Sequence, residues 1–310
     1  MIDYTLIINP IAGNGRTLKK RPEIERFLEQ RGVSYEVRIT EGPGHAVELA
    51  RKPQGRTVVA VGGDGTVHEV AYGIIAAGCT TPLGVIPLGT GNDFVKMLGI
   101  SRRLDEALHQ LIHGRLQFVD YGEVTVQEQP GEDIRQYFVN AVGMGFDASV
   151  AVTMRGQKKL PGVLSYLLAV FRTLRSWQAP FARVTMETIT RAERRVFEDP
   201  LFLVTAGNGV SSGGGFYLTP EASVRDGLLD VCLVRDVPRL EVLRVVPRAL
   251  RGTHVTHPAV HMFRTRRLRV VLEHPMPVHA DGELVAERAT RMDVQVIPGM
   301  LPVISAMPVR

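Results

Sequence analysis

A short β-branched run, Thr57 to Val61, breaks into Gly62-Gly63-Asp64-Gly65-Thr66 and resumes as an apolar, helix-compatible segment through Val67, Val70, Ala71 and Ile74. No other stretch constrains the chain more. The run reads as a buried strand, because β-branched side chains pack well on a pleated surface and no charge interrupts them. The glycines that follow let the backbone approach a ligand closely, and the free N–H groups of a helix start favour an anion. A strand that empties into glycines and opens a helix has the layout of a phosphate cradle.

Two other turns resemble it. Leu83-Gly-Val-Ile-Pro-Leu-Gly-Thr-Gly-Asn-Asp-Phe94 runs from a strand into Gly89, Thr90 and Gly91, with Asn92 and Asp93 where a helix N-cap belongs. Leu6-Ile-Ile-Asn-Pro-Ile-Ala-Gly-Asn-Gly-Arg16 does the same at the start of the chain. Strand and helix patterns alternate to about Gly114: a charged helix near 17–30 buries Ile24, Phe27 and Leu28, and a strand over 33–39 leads to Thr40. Alternation of this kind predicts a parallel sheet covered by helices, with ligands at the carboxyl ends of its strands. The common nucleotide signatures are absent. Gly13 and Gly15 lack the third glycine of a dinucleotide fingerprint, and Thr90 stands where a P-loop needs lysine.

Near Leu116 the texture changes to short strands joined by turns, over 118–126, 135–142, 181–188 and 195–206, which predicts an antiparallel second domain. A chain of 310 residues accommodates two domains. The segment from Leu160 to Leu174 is the most apolar helix. Val163, Leu164, Leu167, Leu168, Phe171 and Leu174 share a face flanked by Lys158, Lys159, Arg172 and Arg175, so it either rests on a membrane or packs on the second sheet. A helix over 238–250 is rich in Leu, Val and Arg. Its Arg244, Arg248 and Arg251, with Arg264, Arg266, Arg267 and Arg269, form either a basic surface for anionic headgroups or an ordinary solvated face. The net charge of +5 and pI of about 9.4 suit any anionic partner; without interleaved aromatics or a known motif, nucleic acid is set aside. His109 and His113 share a helix face with no third ligand, and the distant Cys79 and Cys232 have no metal-ligand spacing. No apolar run approaches the roughly 20 residues of a membrane span. The opening Met1-Ile-Asp-Tyr-Thr enters a strand at once, so no signal peptide is expected there, and the two separate cysteines lead to the expectation of a reduced cytoplasmic setting.

Asn9-Pro10 with Gly13, Gly62-Gly-Asp-Gly-Thr66, and Pro87-Leu-Gly-Thr-Gly-Asn-Asp-Phe94 resemble the catalytic-domain motifs of the diacylglycerol kinase and sphingosine kinase family, nearest its bacterial soluble lipid kinases. The resemblance continues through Phe138 to Asp147, with Asn140, Gly143 and Asp147 in register, through Leu218 to Val231, and through Val278-His-Ala-Asp-Gly-Glu-Leu284. It implies a two-domain plan shared with NAD kinases. A Rossmann-like α/β nucleotide domain over 1–117 is completed by 293–310, and an antiparallel β-sandwich-like lipid domain covers 118–292.

The resemblance also implies an ATP-dependent kinase that moves the γ-phosphoryl group to a lipid hydroxyl, with diacylglycerol the leading acceptor and a sphingoid base or ceramide the alternatives. Asn9, Pro10, Gly13, Arg16, Thr40, Gly62, Gly63, Asp64, Gly65, Thr66, Val67, His68, Thr90 and Asp93 would surround ATP. His68 departs from the family's usual asparagine. Asp64 and Asp93 would hold catalytic Mg²⁺, and Ser223, Asp226 and Leu228 a structural one. Asp281 and Glu283 are carried over together as the general base, since family members are assigned either acid. A transient peripheral membrane contact is expected, and a homodimer is left open. An NAD kinase-like enzyme, sharing Gly-Gly-Asp-Gly, and a non-catalytic nucleotide or lipid sensor are the rival readings.

Overall fold

The computed structural model describes residues 2–129, 131–155, 163–187, 194–213 and 215–305. In chain order the elements are β1 (Tyr4–Ile8), α1 (Ala12–Glu29), β2 (Tyr35–Ile39), α2 (His45–Arg51), β3 (Thr57–Gly62), α3 (Asp64–Ala76), β4 (Leu83–Pro87), α4 (Asp93–Met97), α5 (Leu104–His113) and β5 (Arg115–Gln129). There follow β6 (Glu132–Phe138), β7 (Ala141–Gly145), α6 (Phe146–Arg155), α7 (Val163–Ser176), β8 (Phe181–Glu187), β9 (Arg194–Gly207), β10 (Leu229–Arg235), α8 (Arg239–Ala249), a 3-10 turn (Thr253–Thr256), β11 (Val260–Thr265), β12 (Arg267–Ala280) and β13 (Glu283–Ser305). The chain forms two compact units. The first holds Met1–Tyr121, Val224–Asp226 and Pro298–Arg310; the second holds Gly122–Ser223 and Gly227–Ile297.

In the first unit β2, β1, β3 and β4 pair side by side in parallel, and Val303 near the end of β13 pairs in parallel with Leu83 of β4. Every residue of β3 is buried, as expected of a parallel strand covered on both faces. Leu6, Ile8, Val59, Val61 and Ile86 point to one side, against Ile24 and Leu28 of α1 and Leu108 and Leu111 of α5. Ile7, Val58, Ala60 and Val85 alternate to the other side and are equally buried, where α3 packs on β3 and β4. This is the Rossmann-like layering expected from the alternation of elements. Asp120 joins sequence-distant pieces to the unit. Its N–H donates to the Val224 carbonyl (2.7 Å), and its carboxylate accepts the Gly299 N–H (2.6 Å).

The second unit is antiparallel. β11, β10, β9, β7, β12 and the first part of β13 are successive neighbours. The long strands β9 and β12 each pair with β7 through one portion and with β8 through another. Strands that change partners along their length make the corners of a β-sandwich. Val142, Val184, Val204, Val231, Val270 and Met292 lie in its core. A second apolar cluster joins Val170 and Leu174 of α7 and Val242 of α8 to Phe146, Phe202 and Cys232.

That cluster divides the expected apolar face of α7. Leu174 is buried, but Phe171 is 60% exposed, and Val170 takes the inward position instead. Residues 156–162 and the side chains of Val163, Leu164 and Leu167 fall outside the description. Among the described residues, no helix is long and apolar enough to cross a membrane.

Candidate active site

The three glycine turns of the first unit meet. The Gly62 carbonyl accepts the N–H groups of Leu88 (2.8 Å) and Gly89 (3.0 Å), so the turn after β4 lies directly on the turn after β3. A Cβ on Gly89 would stand 2.3 Å from the Gly63 Cα, which only a glycine pair permits. The turn after β1 reaches the same place. Gly13, at φ 57°, lies so close to the Leu88 carbonyl that a Cβ would come within 2.2 Å of the oxygen. Gly13, Asn14 and Gly15 are all left-handed, so the regular part of α1 starts only after them. Asn9 closes that turn: its side-chain oxygen accepts the Ile11 N–H (3.1 Å), and its carbonyl accepts the Thr17 hydroxyl (2.6 Å).

Asp64 spans two of the turns. Its carboxylate oxygens accept the N–H groups of Asn92 (2.6 Å) and Asp93 (2.5 Å), the entry to α4. Burial pushes the Asp64 carboxyl above its ordinary range; the Asp93 and Asn92 amides pull against that, while the Asp93 charge adds to it. Asp93 is buried and paired with Lys96 (2.6 Å). Thr66 is buried, and its hydroxyl has no hydrogen-bond partner among the described residues. A buried hydroxyl at a helix start beside glycine suits a phosphate oxygen. Two carboxylates completed by phosphate and water suit Mg²⁺.

The remaining members of the expected ATP set vary in setting. Thr40 is buried at the end of β2, its N–H bonded to the Ile8 carbonyl (2.9 Å). Pro10 is half-buried, while Arg16, Gly65 and Thr90 are exposed. The Val67 N–H is used inside α3, on the Gly63 carbonyl (3.0 Å), which leaves its side chain as the means of contact. His68 is buried, with its ring tilted against Tyr72.

Sequence reasoning placed Asn92 at a helix N-cap, where it lies, but missed the bonds that it and several other supporting residues make. Asn92 sits at φ 53° and donates its amide to the Gly89 carbonyl (2.9 Å). Arg102 donates to the Gly91 carbonyl. Glu69 of α3 accepts the N–H groups of Gly44 (2.9 Å) and Ala46 (3.1 Å), capping α2 from another helix. The spacing of Asp93 and Lys96 could have suggested their pairing; nothing local in the sequence announces the other bonds.

In the second unit the two acids of Asp281-Gly282-Glu283 differ sharply. Asp281, at φ 51°, accepts the N–H groups of Val139 (2.8 Å), Asn140 (2.8 Å) and Ala141 (3.0 Å) and returns its own N–H to the Ala141 carbonyl (2.8 Å). It thus clamps the link between β6 and β7. Glu283 is exposed at the first position of β13. Behind the turn, Asp147 accepts from the Thr205 hydroxyl (3.0 Å) and bonds His279 Nε2 (3.1 Å). Gly143 leaves space for them, since its Cβ would lie 2.1 Å from the Asp147 carboxylate. Burial opposes a charged His279, but Asp147, through its charge and hydrogen bond, and then Asp281 outweigh burial and raise the imidazole above its ordinary 6.5.

An apolar cavity of about 70 Å³ lies beneath α8, with Phe146, Phe202, Leu203 and Val246 in its wall and Asp147 and His254 among its few polar groups. Ser223 is half-buried, Asp226 exposed and Leu228 buried in the segment before β10. Asp226 supplies the only carboxylate of that set, and among the described residues no group of three or more His, Cys, Asp or Glu is placed to hold a metal.

The diacylglycerol kinase catalytic domain profile matches residues 3–124, and that of the YegS C-terminal NAD kinase beta sandwich-like domain matches residues 140–305. The chain is 31% identical over 285 residues to the diacylglycerol kinase of Bacillus subtilis (strain 168), covering 90% of this chain and 88% of that protein. The chain belongs to the diacylglycerol kinase family of lipid kinases. A Chromohalobacter salexigens protein named "Probable lipid kinase YegS-like" is 31% identical, with 91% and 86% covered. A diacylglycerol kinase structure from Bacillus anthracis str. Sterne aligns over 99% of this chain and 98% of its own, at TM-score 0.69 and 20% identity. Yeast NADH kinase aligns over 100% and 84%, at TM-score 0.55 and 11% identity, a likeness of fold alone.

Proposed function

We propose that this protein is an ATP-dependent kinase that phosphorylates diacylglycerol to phosphatidic acid. The observation that carries the reading is the meeting of three glycine turns around Asp64 and the unpartnered Thr66 hydroxyl. Gly62, Gly63, Gly65 and Thr66 receive the phosphates; Asn9, Pro10, Gly13, Arg16, Thr40, Val67, His68 and Thr90 line the nucleotide. Asp64 and Asp93 hold magnesium, which when bound neutralises charge on the transferring phosphate. Ser223, Asp226 and Leu228 are proposed for a second, structural magnesium.

Glu283 takes the proton of the lipid hydroxyl as that oxygen bonds to the γ-phosphorus and the bond to the β-bridging oxygen breaks, its electron pair leaving on ADP. Asp281 is the poorer base, because its carboxylate already serves three amides. The apolar cavity under α8 takes part of the hydrocarbon.

The test is transfer from labelled ATP to detergent-dispersed diacylglycerol, sphingosine, ceramide and soluble NAD in parallel, with products identified by mass spectrometry. Labelled phosphatidic acid supports the proposal. Transfer to NAD alone favours the NAD kinase-like reading, which rests on the shared Gly62-Gly-Asp-Gly65 motif, and nucleotide binding without transfer to any acceptor favours a sensor.

A further inference from the structure

Helix α8 has two distinct faces. Val242 and Ala249 are buried, and Val245 and Val246 with them line the apolar cavity. The opposite face carries Leu240 (76% exposed), Leu243 (47%) and, one residue past the helix, Leu250 (39%), with the exposed Pro247 between them. At 3.6 residues per turn these fall on one arc. Arg239 borders that arc on one edge, and Arg244, Arg248 and the following Arg251 on the other; all four are exposed.

None of the four makes an ion pair with a described residue. The contrast with the sheet arginines is sharp. Arg264 pairs with Asp230, Arg267 with Glu187 and Arg269 with Asp293, so most of the arginine cluster on the strands is neutralised, with Arg266 left exposed there, whereas all four arginines about α8 are exposed without an ion pair among the described residues. Of the nearby acids, Glu241 is turned to His257 (2.9 Å), and Asp236 lies before the helix.

Exposed leucines bordered by unneutralised arginines are costly in water and suit the headgroup boundary of a bilayer: the apolar arc enters the acyl region while the guanidinium groups meet lipid phosphates. A protein partner could cover the leucines, but charge complementarity points to a repeating anionic surface. We propose that the outer face of α8 docks this protein on an anionic lipid bilayer, with the inner face of the same helix forming a wall of the hydrocarbon cavity. The proposal rests on the lipid-kinase reading, which supplies the reason to dock.

Co-flotation with phosphatidylcholine vesicles, with and without phosphatidylglycerol, tests it. The unaltered protein binds the anionic vesicles and scarcely binds the neutral ones. The triple variant Arg239→Gln, Arg244→Gln, Arg248→Gln loses roughly a hundredfold in affinity for anionic vesicles. The double variant Leu240→Ser, Leu243→Ser loses about tenfold or more. Both keep the parent thermal midpoint and parent turnover of detergent-dispersed diacylglycerol, but lose turnover on vesicles. Parent-like vesicle binding by either variant, equal binding of the unaltered protein to neutral and anionic vesicles, or a dimer that the leucine variant converts to monomer would overturn the assignment. If the unaltered protein docks as described but phosphorylates no dispersed lipid, the docking face stands and the kinase reading fails.

Discussion

Asp281 and Glu283 stand two positions apart in one turn yet sit in opposite settings, the first bonded to three amides and the second exposed. Replacing Asp281 by Asn leaves one acceptor oxygen where three amides converge. The expected loss is about 1–3 kcal/mol of stability, read as a lower urea midpoint. Glu283→Gln, at an exposed position, should leave that midpoint almost unmoved while single-turnover phosphoryl transfer falls by about 10²–10⁴-fold. Equal transfer rates in Glu283→Gln and the parent would remove Glu283 from the mechanism. His279 makes a prediction about pH. Its folded pKa lies above the ordinary 6.5, so its contribution is fully present below that value and drains away as pH rises through the folded pKa. Urea midpoints of the parent should therefore decline across that window, and those of His279→Gln should decline less.

Among the elements, the pairing of the turns after β3 and β4 is the most exacting. Gly89→Ala must push Gly63 away and should cost about 1–3 kcal/mol while weakening ATP binding in a titration; unchanged binding would show that the two turns need not touch. Glu69→Ala should free the start of α2 at about 0.5–2 kcal/mol, visible as faster amide exchange at Gly44 and Ala46. The turns themselves were legible in the sequence because their chemistry is local: glycines, an aspartate and a threonine must follow a strand directly. The alternation behind the parallel sheet was legible for the same reason. Partners brought by the fold were not, and neither the Glu69 cap nor the three amides on Asp281 has a sequence signature. On α7, the face count grouped Phe171 with Leu174 and left out Val170, yet it is Val170 that joins Leu174 in the buried cluster with Phe146 and Phe202 while Phe171 is exposed.

At the scale of the whole molecule, the first unit is sewn from three separated pieces of chain, and its sheet takes its last strand from Pro298 onward. Val303 is fully buried opposite Leu83, and the Ser305 hydroxyl bonds the Leu98 carbonyl (2.6 Å). Val303→Asp would bury an unpaired charge and should cost more than about 3 kcal/mol. Hydrogen exchange should report that loss in β3 and β4, far away in sequence. Protection of those strands equal to the parent's would show that the final strand is dispensable to them. The arrangement also bears on biosynthesis. A ribosome delivers the glycine turns early, but the strand that flanks β4 emerges only after the whole antiparallel unit has been translated. The sheet of the first unit is therefore completed only once the second unit has been synthesised.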